Sequence, residues 1–166
     1  MLGYAYRPVA FDRLNLLLKY TYFYNLPSSD DSAASATTYI QRSHIAAIDL
    51  MYDLTPRWTV GGKYAYRLGQ IALDRDNPEY FDSSAQLFVA RVDWHFLHRW
   101  DALVEARLLD LPEAQDQRSG ALVALYRHFG NHIKAGAGYN FSDFSDDLTQ
   151  LDYRHQGLFI NVIGKF

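Results

Sequence analysis

Histidine is the residue type in this sequence with the clearest capacity for metal binding or catalysis. Four of its six histidines fall near short predicted turns, and imidazole nitrogens are common ligands of zinc. These residues are His95, His98, His128 and His132. A metal site needs side chains that converge on one point, and the spacing of these four does not indicate it. We therefore interpret them as polar interfacial residues and expect no bound metal and no other cofactor.

An acidic segment near the C-terminus offers a second type of ligand chemistry. Residues 142–147 read Ser-Asp-Phe-Ser-Asp-Asp, and carboxylate oxygens suit a hard cation such as Ca²⁺. The segment lacks the regular ligand spacing of calcium-binding loops. We interpret it as a solvated loop, with calcium binding as the alternative.

Catalysis is the third chemistry to consider. His44 and His155 lie beside Ser and Asp residues at the predicted long-loop ends of their strands. No serine occupies a nucleophile-elbow motif, and no phosphate-binding loop occurs in the sequence. The sequence therefore predicts that the protein is not an enzyme.

Composition narrows the class of protein. The 166 residues suit one domain, and aromatic residues reach 16%, with 13 Tyr and 10 Phe. A helical membrane protein needs about 18 consecutive apolar residues, and no such run occurs. Cysteine is absent, which excludes a disulfide framework, a thiolate metal site and a Cys nucleophile. The net charge of −3, with scattered Lys and Arg, predicts no nucleic-acid partner.

Polar and apolar residues alternate with period two along most of the chain, which predicts β-strands. The clearest strands are residues 14–25, 58–67 and 133–142. Weaker ones are predicted at 44–54, 85–96, 102–111, 121–129 and 157–166. We expect eight antiparallel strands, the one from Leu14 closing against the one that ends at Phe166. A short strand at 2–9 would be a ninth, parallel to the last, and we interpret residues 1–13 as a remnant strand of a larger barrel.

The predicted connections alternate between tight turns and long loops. The turns lie at 11–13, 55–57, 98–99 and 130–131, and the loops at 27–38, 74–84, 112–119 and 143–156. Short connections at one rim and long ones at the other are typical of outer-membrane barrels, whose short side is periplasmic. A soluble lipocalin-like barrel could share this asymmetry.

One face of the predicted strands collects most of the charged residues. A charge on the lipid side at mid-depth costs about 2–4 kcal/mol, so we expect this face to point inward. We interpret the charges as an ion-pair network that fills the lumen, and a selective pore lined by them is the alternative. The charges are Lys19, Asp49, Asp53, Lys63, Arg67, Arg91, Asp93, Glu105, Arg107, Arg127, Lys134 and Lys165.

The opposite face is apolar and rich in aromatic residues at both ends. Near the short turns lie Trp58, Trp94, Phe96, Trp100 and Phe166, and near the long loops lie Tyr22, Tyr24, Tyr66, Tyr139 and Phe141. Two such belts are typical of proteins that cross both interfaces of a bilayer. The alternative, a soluble β-sandwich, would bury the tyrosine hydroxyls without enough hydrogen-bond partners.

The last predicted strand ends in a recognisable sequence pattern. Residues 155–166 place a polar residue, a glycine, alternating apolar residues and a terminal aromatic in a fixed order, with Gly157, Ile160, Val162 and Phe166 as the defining positions. This pattern resembles the β-signal that the barrel assembly machinery reads by strand addition.

The resemblance extends over essentially the whole chain. Residues 138–148 running into 157–166, together with 62–67 and 2–8, are similar to the C-terminal barrel of large proteobacterial outer-membrane or surface proteins. The resemblance implies an all-β, antiparallel up-and-down transmembrane β-barrel of about eight strands, with residues 1–166 as one domain. It also implies the bacterial outer membrane as location, and the lipid bilayer, lipopolysaccharide and the barrel assembly machinery as partners.

The function implied by this resemblance is that of a membrane anchor or translocator for an upstream passenger region. A small channel for ions or solutes is the alternative. Residues 1–8 contain no basic leader, apolar stretch or cleavage site, so we expect the sequence to be a processed or recombinant part of a longer protein.

Overall fold

The computed structural model describes residues 1–24, 40–72, 77–130, 132–144, 148 and 156–164, and these residues form one antiparallel β-sheet. Its nine strands are β1 (Leu2–Tyr6), β2 (Leu14–Tyr24), β3 (Ile40–Thr55), β4 (Trp58–Ala72), β5 (Tyr80–Leu97), β6 (Trp100–Leu111), β7 (Asp116–Phe129), β8 (Ile133–Asn140) and β9 (Gly157–Gly164). A 3₁₀ turn, Pro112–Ala114, joins β6 to β7. None of the described segments is a helix long and apolar enough to cross a membrane.

The strands follow one another through the sheet in chain order, each antiparallel to its neighbours. The predicted all-β, up-and-down architecture is therefore confirmed, and the short N-terminal strand is part of it. The predicted pairing of the Leu14 strand with the C-terminal strand does not form, because β1 occupies that edge of β2. Within the described residues β1 pairs only with β2, and β9 only with β8. The sheet is therefore open, and closure into a barrel stays a prediction.

The hairpins are displaced relative to one another in a constant direction. Leu14, at the start of β2, pairs with Tyr52, and β3 continues three residues further to Thr55. Likewise the start of β6 pairs with Arg127, and β7 continues two residues further to Phe129. Steady displacement of this kind accompanies strands that tilt relative to the axis of a curled sheet.

Burial separates the two faces of the sheet, although no second layer of strands or helices covers it in the described part of the chain. Residues paired directly across strands share a face: Asp49 pairs with Lys63, and on the other face Ile48 pairs with Tyr64. Arg67, on the face of Lys63, is 0% exposed, whereas Ile48 is 40% exposed. A single sheet buries one face in this way by curling around it. We call the face of Asp49 and Lys63 the concave face and that of Ile48 and Tyr64 the convex face.

An apolar cluster fills the concave face near the long loops. It contains inward side chains of four strands and two residues that follow β8, namely Ile45, Ala65, Ala85, Leu87, Leu109, Phe144 and Leu148. Ser142 is fully buried and Phe144 is 1% exposed, so the prediction of a solvated loop at 142–147 is wrong at these two positions. Leu148, just after that segment, is also 1% exposed. The curled sheet buries these side chains, which sequence spacing cannot indicate. Residues 145–147, which carry the acidic part of the calcium alternative, lie outside the described residues.

A glycine makes room for this segment. The backbone of Gly120 in β7 lies against Ser142, and a Cβ at this position would overlap the Ser142 side chain. Ser142 is itself buried, and its backbone N–H bonds to the Asn140 side chain. The chain after β8 can therefore turn directly onto the concave face.

Replacing Phe144 with alanine tests this packing. We expect Phe144→Ala to lower the free energy of unfolding by about 3–5 kcal/mol, because it removes a fully buried ring and leaves a cavity. Phe81→Ala is the control, since Phe81 is 53% exposed, and a surface change should stay within about 0.5 kcal/mol. Urea unfolding measures both free energies, and equal effects would contradict the burial of Phe144.

Candidate functional site

The nine charges predicted to form a network in the lumen lie together on the concave face. They are Lys19, Asp49, Lys63, Arg67, Arg91, Asp93, Glu105, Arg107 and Lys134. The register sets opposite charges beside each other, with Asp49 opposite Lys63 and Arg91 opposite Glu105. The alternation of side chains along each strand decides on which face a charged residue lies. The pairing of neighbouring strands decides which charged residues lie beside each other.

Two ion pairs form between residues two apart on one strand. Arg91 Nε lies 2.7 Å from Asp93 Oδ2, and Arg107 Nε pairs with Glu105 Oε1. The Glu105 and Arg107 side chains are only 11% and 9% exposed, so their charges require this pairing. A cavity of about 100 Å³ remains among these charges, with room for a few ordered waters. The middle of the concave face is therefore closely filled.

Arg67 does not join this network. Its side chain is fully buried, and its guanidinium nitrogens have no hydrogen-bond partner in the described part of the chain. The hydroxyl of Ser43, which is across from Gly69 and near Arg67, also lacks one. The prediction placed Arg67 on the correct face, but no ion pair accompanies it.

A second charged cluster, which the sequence analysis did not identify, lies near the short turns. Asp101 of β6 accepts hydrogen bonds from the imidazoles of His95 and His128, each at 2.7 Å, and pairs with Lys134. Its own side chain is only 3% exposed. The cluster joins four consecutive strands, β5 to β8. The available signal was the alternation of β6, which places Asp101 on the same face as Glu105.

Three other charged residues were predicted for the same face, and their outcomes differ. Arg127 is on the convex face, not the concave one, because it pairs directly with Trp100. Its guanidinium lies 5.4 Å from the Trp100 ring centroid, an arrangement favoured by the ring's electron-rich face. Asp53 is on the concave face as predicted, where it accepts a 2.6 Å hydrogen bond from Thr59. Lys165 lies outside the described residues.

The predicted aromatic girdle residues lie on the convex face. These are Tyr22, Tyr24, Trp58, Tyr66, Trp94, Trp100 and Tyr139. Near the short turns the Trp58 and Trp94 rings stack with centroids 5.2 Å apart. Near the long loops Tyr139 and Phe141 lie with centroids 4.5 Å apart. Phe166 lies outside the described residues.

Between these two aromatic ends the convex face carries no Asp, Glu, Lys or Arg among the described residues. The side chains there are exposed and apolar, for example Ile48, Leu50, Val92, Val104 and Leu125. Among the strand residues that the structure describes, charged residues of the convex face occur only near its ends, at Arg42, Asp82, Asp110 and Arg127. We call the uncharged zone between them the apolar band.

Hydrogen bonds connect the polar residues at the long-loop limit of the apolar band. Arg42 Nε donates to Gln70 Oε1 at 2.8 Å, and Gln70 Nε2 donates to Asp82 Oδ1 at 3.0 Å. Beyond the strands, the Glu113 carboxylate accepts hydrogen bonds from the hydroxyl and the backbone N–H of Ser84. These bonds hold the pKa of Glu113 below its ordinary value. They also give the backbone N–H of Ser84 a hydrogen-bond partner where β5 extends past β6.

The predicted assembly-signal residues Gly157, Ile160 and Val162 belong to β9, the last strand of the sheet. Ile160 is 84% exposed on the convex face. One edge of β9 pairs with β8 within the described ranges, and the strand addition that the predicted signal implies would use the other edge. Its role as a signal stays a prediction.

The residues considered for metal binding and catalysis have the following environments. No set of three or more His, Cys, Asp or Glu residues is arranged to hold a metal ion in the described part of the chain. His44 is hydrogen-bonded to the Tyr20 hydroxyl at 2.6 Å, and His155 lies outside the described residues. Comparisons with protein-family models, curated proteins and solved structures give no match for this chain.

The cluster around Asp101 is open to a direct test. We expect Asp101→Ala to lower the free energy of unfolding by about 2–3 kcal/mol, because Lys134 loses its ion-pair partner. The full effect of breaking a buried pair is not expected, since the Lys134 side chain is 25% exposed. Asp116→Ala is the matched control: its pair with Arg118 is about 40% exposed on both sides and should contribute about 0–1 kcal/mol. Equal losses in urea unfolding would refute a structural role for the cluster.

Proposed function

We propose that this chain is a β-barrel segment of a bacterial outer membrane, which anchors an upstream passenger region and serves as its translocator. The observation that carries the membrane part is the inverted polarity of the sheet. Charged side chains such as Arg67 and Glu105 are buried on the concave face, while Val104 and Ile160 are exposed on the convex face. A hydrocarbon environment around the convex face explains both the buried charges of the concave face and the exposed apolar side chains of the convex face.

The size of the apolar band supports a lipid environment. Soluble monomers rarely expose continuous apolar patches larger than a few hundred Å², and here exposed apolar residues occur on the convex face of every strand from β2 to β9. Tyr and Trp at both ends of the band suit the two bilayer interfaces, where amphipathic rings are favoured.

The sheet edges add a requirement to this proposal. In hydrocarbon every backbone N–H and C=O needs an internal partner, so the free edges of β1 and β9 must be paired in the membrane. Nine alternating strands leave β1 and β9 running in the same direction. Closure therefore needs either a parallel seam between them or an additional strand.

The filled concave face favours an anchor over a channel. Phe144 and Leu148 pack across the sheet near the long loops, and the Glu105–Arg107 and Arg91–Asp93 pairs fill its middle. The proposal of a passenger rests on the resemblance of residues 138–148 and 157–166 to C-terminal barrels, which hold an upstream polypeptide at the membrane. A channel remains the second candidate, because the concave face opens into a cavity of about 1050 Å³ at the short-turn end.

An arginine placed in the apolar band tests the membrane proposal. We expect Val104→Arg to lower the free energy of unfolding in lipid by about 2–4 kcal/mol, as for a charge near the bilayer midplane. Gln117→Arg is the matched control on the same face near the long loops, where the loss should be about 0–1 kcal/mol. Urea unfolding of protein refolded into vesicles measures both.

A soluble protein gives the opposite result in this experiment. Val104 is 54% exposed, and a surface substitution in water should change stability by no more than about 0.5 kcal/mol. Equal, small effects of the two variants, with protein that stays monodisperse without detergent, would refute a membrane location. Planar-bilayer recordings separate the two functions: an anchor is silent, whereas a channel gives current steps that change in Arg91→Gln or Arg107→Gln.

A further inference from the structure

The cavity at the short-turn end of the concave face is lined mainly by basic and titratable residues. Its volume is about 1050 Å³, at the upper end of the range for small-molecule sites. Its ionisable residues are Arg57, His95, His98, Arg99, Asp101, His128, His132 and Lys134. With neutral histidines the three cations face one carboxylate, which gives a net charge of +2 in a chain whose overall charge is −3.

The one carboxylate among the residues that line the cavity already has hydrogen-bond and ion-pair partners. Asp101 accepts from His95 and His128 and pairs with Lys134. The side chains of Arg57 and Arg99 form no ion pair with a carboxylate in the part of the chain that the structure describes, and both residues are exposed. The positive charge of these two arginines is therefore directed at the contents of the cavity or at solvent.

A repeated backbone arrangement holds basic residues at this rim. An arginine precedes the first residue of β2, β4 and β6, and a histidine precedes that of β8, namely Arg13, Arg57, Arg99 and His132. The carbonyl of each arginine accepts an N–H from the next strand of the sheet, from Asp53 at 2.9 Å, from His95 at 2.8 Å and from His128 at 2.8 Å. Each of these turns is thus fixed to its neighbouring strand, so successive arginines are held at equivalent positions.

We propose that this cavity binds a small soluble anion that carries two or more phosphate or carboxylate charges. Arg57 and Arg99 would hold its oxygens through charge-assisted, bidentate hydrogen bonds, for which guanidinium geometry is suited. Lys134, His95 and His128 also line this cavity. The site is on the concave face, whereas bilayer lipids contact the convex face, which favours a solute over a lipid headgroup.

Pyrophosphate is a suitable probe, titrated calorimetrically into the full chain in zwitterionic detergent at constant ionic strength. We expect saturable binding of pyrophosphate to the parent protein. The double variant Arg57→Gln/Arg99→Gln should weaken binding at least about tenfold, since each lost hydrogen bond to a charged group is worth a similar factor. The control Arg118→Gln, at the opposite end of the strands, should bind as the parent does. Circular dichroism verifies that each variant folds.

Three results would overturn the proposal. These are absence of saturable pyrophosphate binding, unchanged binding in the double variant, or an equal loss in Arg118→Gln, which would indicate non-specific attraction. A further arm adds phosphatidylglycerol to the detergent micelles. If this lipid displaces pyrophosphate competitively, the cavity belongs to a lipid headgroup and the soluble-anion proposal fails; if pyrophosphate binding is unaffected, the proposal holds.

Discussion

The antiparallel register of a single curled sheet is the constraint on which the other features of this chain depend. Side chains alternate between the two faces with period two, so a slip of one residue would move every concave charge to the convex face. Direct pairs such as Asp49 with Lys63 and Ile48 with Tyr64 hold the register. Because no second layer covers the sheet in its described part, curling alone creates a buried face, and that face is the charged one. The concave face therefore holds the buried charges together with the apolar cluster near the long loops, while the convex face is apolar, which a hydrocarbon solvent favours.

The charges of the concave face depend on this register to different degrees. Arg91–Asp93 and Glu105–Arg107 pair within their own strands, so alternation alone brings the partners together. Asp101 instead joins side chains from β5, β7 and β8, and its cluster forms only when three neighbouring pairings are all in place. Arg67 has neither kind of partner among the described residues, although it is fully buried. A shared face is thus necessary for a charge network but does not by itself provide one.

The chain after β8 links the fold to the proposed function. Gly120 leaves space for Ser142, and Phe144 and Leu148 then pack against inward residues of β3 to β6. This packing sets an apolar cluster at the long-loop side of the concave face, while the short-turn side has a wide cationic cavity. The two ends therefore differ in the described residues: one carries buried apolar side chains, and the other carries mainly positive charge. That difference underlies both the preference for an anchor and the proposed anion site.

Period-two alternation was sufficient to predict the strands, their up-and-down order and the face on which Lys19, Asp49 or Trp58 lies, because alternation is a local property of an extended chain. The prediction misplaced Arg127 because it assigned this residue by its charge, whereas alternation along β7 sets it on the face of Val123 and Leu125, opposite Trp100. Alternation did not reveal the Asp101 cluster, the burial of Phe144 or the pairing of β1 with β2. The first two join residues distant in sequence, and the third decides which strand occupies the edge of β2, so only the register and curvature of the assembled sheet decide them. The sequence thus determined which residues share a face, and the tertiary structure decided which of them meet.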